Sequence, residues 1–180
     1  MSIKPDNNSI VEFSDDFGNV LNIKLYPDDI LNNWNFIGTV ADNIYNYYKA
    51  SFDIEINKEL VFIALNELVE NGVKFSKYGA KFISVDSYKF NDRLYIKVTN
   101  DVSIERFDEM RRIKDELDSG DLKEVFVKRI KGLRDNISSQ GIGLILLKKN
   151  PHYKLNISFK DNGFGSLQVS ISIELDFHLS

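Results

Sequence analysis

Residues 57–76 read NKELVFIALNELVENGVKFS, and this stretch decides the fold. It opens on Asn57, a residue type that favours helix N-termini, and its apolar residues recur at helical spacing. Gly79 follows as a stop signal. The stretch therefore predicts a helix over 58–76.

Three polar side chains share one side of this predicted helix. At about 100° per residue, Glu67, Asn71 and Lys74 project into one narrow sector, which also holds the apolar Leu60 and Ala64. A carboxylate and an amide at the edge of an apolar arc must be desolvated, and this costs free energy unless they have partners. One interpretation is structural, with Glu67 and Asn71 capping neighbouring loops. The other is a functional site that uses both groups.

Segments on both sides of this helix predict strands and further helices. Runs of apolar and β-branched residues predict three hairpins, whose strands are 9–13 with 20–26, 81–90 with 93–99, and 154–160 with 166–177. Helical spacing predicts a helix from Pro27 to Tyr48, two helices over 103–136 with a break at 119–120, and a short helix over 144–149. This order predicts a single α+β domain over 1–180, with a mixed, mostly antiparallel sheet covered on one face by helices.

Composition excludes several classes of function. The chain has 180 residues, of which 43% are apolar and 28% charged, as expected of a globular domain. The absence of cysteine excludes disulfides, thiol catalysis and zinc ribbons, and 2 histidines are too few for a histidine metal cage. A net charge of −4 argues against nucleic-acid binding. No signal-peptide core or run of about 18 apolar residues is present, so we expect a cytoplasmic protein without membrane contact.

A second motif lies about seventy residues after the first, where 139–144 read SQGIGL. Gly141 and Gly143 stand where a loop meets the predicted short helix, so that free backbone N–H groups would point at an anion. Glycine lets phosphate oxygens approach the main chain, because no Cβ stands in the way. The segment is neither a Walker A loop nor a complete dinucleotide fingerprint. It predicts either a phosphate cradle or an ordinary tight entry into a helix.

The two motifs together resemble the GHKL ATPase superfamily. The segment 67–76, ELVENGVKFS, looks like its N-box, and 141–144, GIGL, resembles its G2 box, in the same order and at a matching separation. The E-x-x-x-N form is similar to that of anti-sigma serine kinases. The long helical segment before the G2 box is similar to that of SiaB-type bacterial kinases. The resemblance implies a Bergerat-type two-layer α/β sandwich that holds ATP between the sheet and a lid, here the helical segment 103–136.

The resemblance also implies a role for each motif residue. Glu67 would be the general base, Asn71 would hold Mg²⁺ against the phosphates, and Lys74 would lie near the phosphate tail. The nucleotide phosphates would be cradled by the G2-box residues Gln140, Gly141, Ile142, Gly143 and Leu144. ATP and Mg²⁺ are therefore the expected cofactors.

The adenine-binding box departs most from the family pattern. The family shows Asp-x-Gly-x-Gly after a strand, and its Asp receives the adenine amino group, whereas 99–103 read TNDVS here. Asn100 could accept that hydrogen bond through its side-chain carbonyl, and Asp101 is the alternative. Residues 161–165, DNGFG, match the pattern, but they follow the G2 box and predict a hairpin turn.

Lysine and arginine residues are concentrated between positions 111 and 134. A solvated helical face explains this concentration. The alternative is a lid whose cations meet the triphosphate or an acidic partner.

These features predict an ATP- and Mg²⁺-dependent serine/threonine protein kinase of the anti-sigma or SiaB type. The expected partner is a small bacterial regulatory protein with a Ser or Thr acceptor, either an anti-sigma antagonist or a SiaC-like protein. An opposing phosphatase and homodimer formation are further expectations. The alternative function is a partner-switching module that keeps the fold and binds its target without phosphoryl transfer. A structural or nucleic-acid scaffold has little support from charge or motifs.

Overall fold

The computed structural model describes residues 21–52, 56–134, 141–163 and 166–176. The helices in these ranges are α1 (Pro27–Asn32), α2 (Phe36–Phe52), α3 (Lys58–Phe75), α4 (Ile104–Asp118), α5 (Leu122–Arg134) and α6 (Ile142–Lys149). The strands are β1 (Leu21–Leu25), β2 (Ile83–Phe90), β3 (Arg93–Val102), β4 (Tyr153–Asp161) and β5 (Leu167–Asp176). The strand predicted over 9–13 lies outside the described residues. Within these ranges, each helix is too short or too polar to span a lipid bilayer.

The five strands form one sheet in the order β1-β2-β3-β5-β4, and neighbouring strands pair antiparallel. Two predicted hairpins are present as β2–β3 and β4–β5. Asn91 turns the first with φ 52°, and in the second the Gly163 N–H bonds to Asp161 Oδ1 at 2.8 Å. The α+β class and the hairpin turn at 161–163 are thereby confirmed. The sheet was predicted to be mixed, but all pairs of described strands are antiparallel.

The helices cover one face of the sheet, as predicted. Alternate residues of β3 point toward the helices, and Leu94, Ile96 and Val98 are at most 1% exposed there. The other face carries polar side chains that pair across the strands, such as Lys97 with Asp86 at 3.8 Å. When only one face of a sheet is buried, apolar and polar residues must alternate along each strand.

Helix α3 lies at the centre of the helical layer. Asn57 caps its first turn, since Oδ1 accepts a hydrogen bond from the Leu60 N–H at 3.3 Å. Gly72 brings the helix backbone against the sheet, where an added Cβ would lie 3.1 Å from Val98 Cγ1. Tyr153 of β4 donates a hydrogen bond from its hydroxyl to the Leu60 carbonyl at 2.9 Å. These contacts fix α3 against the sheet along its length.

The single helix predicted after Pro27 is in fact two helices. Asn33 C-caps α1 with φ −146° and ψ 80°, which are not helical, while its N–H bonds to the carbonyls of Asp29 and Ile30. The apolar spacing continues across the break, because Ile30 and Ile37 are both buried. The pattern therefore identified most of the buried face but missed the interruption, and Trp34, which it places in the same row, is 39% exposed.

In its described part, the lid-like segment predicted over 103–136 contains α4 and α5, joined at the predicted break. Several of its cations pair with acidic residues of the same segment. Arg129 of α5 lies 2.6 Å from Glu116 of α4, and Lys114 pairs with Asp118 one turn along α4. Lys148 of α6 also reaches Asp118, at 3.1 Å. Ion pairs therefore connect α4 to both helices that follow it.

Candidate functional site

Glu67 and Gly143 are far apart in the sequence but lie against each other in the structure. A Cβ added to Gly143 would lie 1.6 Å from Glu67 Oε2 and 2.4 Å from Glu67 Cδ, far inside any allowed contact. Only glycine fits this position of α6 while the carboxylate occupies its present place. The fold thus brings the N-box-like and G2-box-like motifs together where α3 meets α6.

The Glu67 carboxyl group is half-buried between the two helices. Burial raises its pKa, and the negative charge of Glu70 raises the pKa further, whereas Lys74 lowers it. Glu70 and Lys74 also pair with each other one turn apart on α3. A carboxylate with a raised pKa accepts a proton more readily, which is the property that a general base needs near neutral pH.

Asn71 lies one turn after Glu67 and is only 5% exposed. Its Nδ2 donates a hydrogen bond to the main-chain carbonyl of Glu67 at 2.6 Å. This bond holds the amide and leaves Oδ1 as its acceptor atom. A side-chain carbonyl oxygen is a suitable ligand for a hard cation such as Mg²⁺. Lys74, the third residue of the predicted sector, is exposed and points to Glu70 instead.

The first turn of α6 provides main-chain donors beside the Glu67 carboxylate. Gly141 caps the helix in the left-handed conformation, with φ 81°, which glycine adopts without strain. The Ile145 N–H bonds to the Gly141 carbonyl at 3.1 Å, so the N–H groups of 142–144 precede the first helical bond. The Leu144 side chain is fully buried, and this residue therefore offers only its main chain. Gln140 lies outside the described residues.

The two candidate adenine acceptors lie on opposite faces of the sheet. Strand β3 continues beyond its predicted end and includes both Asn100 and Asp101, so their side chains must alternate. Asn100 points toward the helices, is 3% exposed, and donates from Nδ2 to Ser76 Oγ at 3.4 Å. Asp101 points to the outer face, where Gln168 Nε2 donates to it at 3.0 Å. Asn100 therefore shares the helical side of the sheet with the N-box residues, and Asp101 does not.

Two residues that affect this site were not singled out from the sequence. Glu70 lies three residues after Glu67, a spacing at which like charges meet on a helix surface, so the signal was available. Ser76 C-caps α3, and its hydroxyl donates to the Gly72 carbonyl at 2.7 Å. A serine four residues after a helical carbonyl commonly makes this bond. Its link to Asn100 depends on tertiary structure.

Comparison with known proteins gives one structural neighbour. No protein-family model matches the chain, and no curated protein matches it either. Among solved structures, a chain of the crystal structure of the SiaB-SiaC complex from Pseudomonas aeruginosa is similar, with a TM-score of 0.60 and 16% sequence identity. The match covers 88% of this chain and 90% of that chain. The two chains share a fold. The similarity extends over nearly the whole of both and agrees with the SiaB-type resemblance of the sequence.

Proposed function

We propose that this chain is an ATP- and Mg²⁺-dependent serine/threonine protein kinase of the GHKL superfamily, related to the SiaB type. The observation that carries the proposal is the contact of the Glu67 carboxylate with Gly143 in the first turn of α6. This contact puts a proton acceptor of raised pKa beside main-chain N–H groups that suit phosphate. The fold shared with a chain of the SiaB-SiaC complex supports the same assignment.

Each group in the site has a distinct part in this proposal. ATP would supply the phosphoryl group, and Mg²⁺ would neutralise charge on the phosphates when bound. Asn71 would offer Oδ1 to the cation, and the N–H groups of 142–144 would hold phosphate oxygens. Glu67 would orient the acceptor hydroxyl and take its proton. Asn100 would accept a hydrogen bond from the adenine ring at the inner end of the site.

The proposed substrate is a small regulatory protein with a Ser or Thr acceptor. The neighbouring structure is a complex of two proteins, and this supports a protein partner for the present chain. A phosphatase that reverses the modification completes the proposed cycle. Labelled-phosphate transfer from ATP to purified candidate partners would test the substrate assignment.

A second candidate function is a partner-switching module without catalysis. It is favoured by the segment after β3, where Ser103 caps α4 directly, since Ser103 Oγ accepts from the Arg106 N–H at 3.4 Å. A helix therefore begins where the family pattern has glycines, and Asn100 stands in place of the expected Asp. Titration of the chain with ATP and ADP, with and without Mg²⁺, separates the two candidates. Absence of binding at millimolar nucleotide would overturn the kinase proposal.

Asn71→Ala should abolish the Mg²⁺-dependent part of nucleotide binding while the fold survives. The amide makes one local hydrogen bond to its own helix, so its removal costs the structure little. Isothermal titration with ATP, with and without Mg²⁺, measures the effect, and circular dichroism checks the fold. Asn66→Ala, on the same helix, is the matched control and should bind like the parent. Parent-like MgATP affinity in Asn71→Ala would remove Asn71 from the site.

The pH dependence of phosphoryl transfer should report the charges around Glu67. Glu70→Gln removes a negative charge and lowers the pKa of Glu67, so the acid limb of the rate profile moves to lower pH. Lys74→Met removes a positive charge and moves that limb to higher pH. Single-turnover rates across pH 4 to 8, roughly the range of a perturbed carboxyl group, measure both shifts. Two shifts of the same sign would contradict the role of Glu67.

A further inference from the structure

Asn100 interrupts an otherwise apolar row on the helical side of β3. Its neighbours in that row, Val98 and Val102, are buried apolar residues, and Asn100 itself is 3% exposed. A polar side chain buried to this extent normally has its hydrogen-bonding groups satisfied. Within the described part of the chain, Asn100 donates one bond from Nδ2, and its Oδ1 receives none. Oδ1 is thus an acceptor atom that a bound donor would satisfy.

Ser76 determines which end of this amide is offered to a ligand. Its hydroxyl has a single hydrogen, and that hydrogen is donated to the Gly72 carbonyl at 2.7 Å. Ser76 Oγ can therefore only accept from Asn100, whose Nδ2 lies 3.4 Å away. An amide that could otherwise rotate by half a turn is held with Nδ2 toward Ser76. The oxygen is then the atom presented away from Ser76.

We infer that Ser76 is a positioning residue that fixes Asn100 as a hydrogen-bond acceptor and thereby makes the site select adenine nucleotides. The inference rests on the proposed function, because it assumes that a nucleotide base reaches Asn100. Adenine carries an amino donor at position 6, whereas guanine and hypoxanthine carry a carbonyl acceptor there. A fixed acceptor forms a hydrogen bond with the amino group of adenine and repels the carbonyl oxygen of guanine or hypoxanthine. A freely rotating amide would satisfy either base.

The experiment compares the affinities of ATP and ITP, which differ at position 6 of the base. We expect the parent to prefer ATP by roughly 10- to 100-fold, the discrimination typical of one good base contact. Ser76→Ala frees the amide, so the preference should fall toward parity, mainly through tighter ITP binding. Ser76→Thr keeps a hydroxyl, so this variant should prefer ATP as the parent does, unlike Ser76→Ala.

Two controls separate this role from simple helix capping. Ser119 C-caps α4 and donates to the Glu116 carbonyl at 2.6 Å, so Ser119→Ala removes a similar capping bond elsewhere and should keep the parent preference. Asn100→Asp offers an acceptor oxygen in either orientation. In that background, Ser76→Ala should no longer change the ratio of ATP to ITP affinity.

The outcomes distinguish this inference from the proposed function. If the parent binds neither ATP nor ITP, the proposed function fails and the inference fails with it. If the parent binds ATP but Ser76→Ala keeps the parent's ratio, Ser76 acts only as a cap and the inference alone is overturned, even if the variant melts earlier. Equal affinity of the parent for both nucleotides would also overturn the inference while leaving the nucleotide site in place.

Discussion

Glu67→Gln is expected to lower phosphoryl transfer by roughly a hundredfold or more while changing ATP affinity only slightly. Glutamine keeps the size and hydrogen-bonding capacity of the side chain but cannot take a proton from the acceptor hydroxyl. In the proposed site, nucleotide affinity would depend instead on Asn71, the metal and the first-turn amides of α6. Single-turnover transfer to the cognate partner, measured beside equilibrium ATP binding, separates the two effects. Unchanged transfer would remove Glu67 from the mechanism.

Thermal stability gives an independent check on the same substitution. Because burial raises the pKa of Glu67, the folded chain favours the protonated carboxyl group. That preference stabilises the fold at low pH, and the benefit is lost as pH rises through the folded-state pKa. At neutral pH, Glu67→Gln should therefore melt at a higher temperature than the parent, and the difference should shrink as pH falls.

Gly143→Ala is expected to reduce phosphoryl transfer by roughly a hundredfold, about as strongly as Glu67→Gln. The new methyl group would overlap Glu67 Oε2 at 1.6 Å, so one of them must move. The carboxylate is the end of a flexible side chain and gives way more easily than the α6 backbone. The fold should therefore survive while Glu67 leaves its place. Transfer assays and circular dichroism on the same preparation measure both properties.

Gly38→Ala is the matched control for this substitution. Gly38 lies in α2, and an added Cβ would meet Phe62 Cε2 at 3.6 Å, an ordinary van der Waals contact. Alanine in a helix is more stable than glycine by about 1 kcal/mol, so this variant should be active and somewhat more stable than the parent. Full transfer activity in Gly143→Ala would show that the contact between Glu67 and α6 has no part in catalysis.

Local sequence rules predicted the helices and hairpins where a single residue determines a boundary. Asn57 marked the start of α3 correctly, because its side chain satisfies main-chain donors of the first turn. The end predicted at 76 lies within one residue of the observed end at Phe75, and Ser76 caps the helix, since its hydroxyl and N–H bond to carbonyls of the last turn. The strand order β1-β2-β3-β5-β4 depends on long-range pairing and has no comparable local signal.

The candidate site was predicted in part, and the missing part has a simple cause. Glu67 and Gly143 were selected separately for their chemistry, and only the packing of α3 on α6 brings them into contact. The choice between Asn100 and Asp101 stayed open because the strand was predicted to end at 99. Once β3 is known to run through both residues, their alternation places Asn100 alone on the helical side. A boundary error of three residues therefore left a chemical question open.

Helix α5 is attached to the domain differently from the other long helices. None of its described side chains is fully buried, and Leu122, Val125 and Phe126 are only partly covered by the core. Arg129 of α5 also pairs with Glu116 of α4, and salt screens this interaction. Local unfolding of α5 therefore exposes little apolar surface and needs less free energy than opening of α3 or α4. We therefore expect rising ionic strength to favour the opening of this helix.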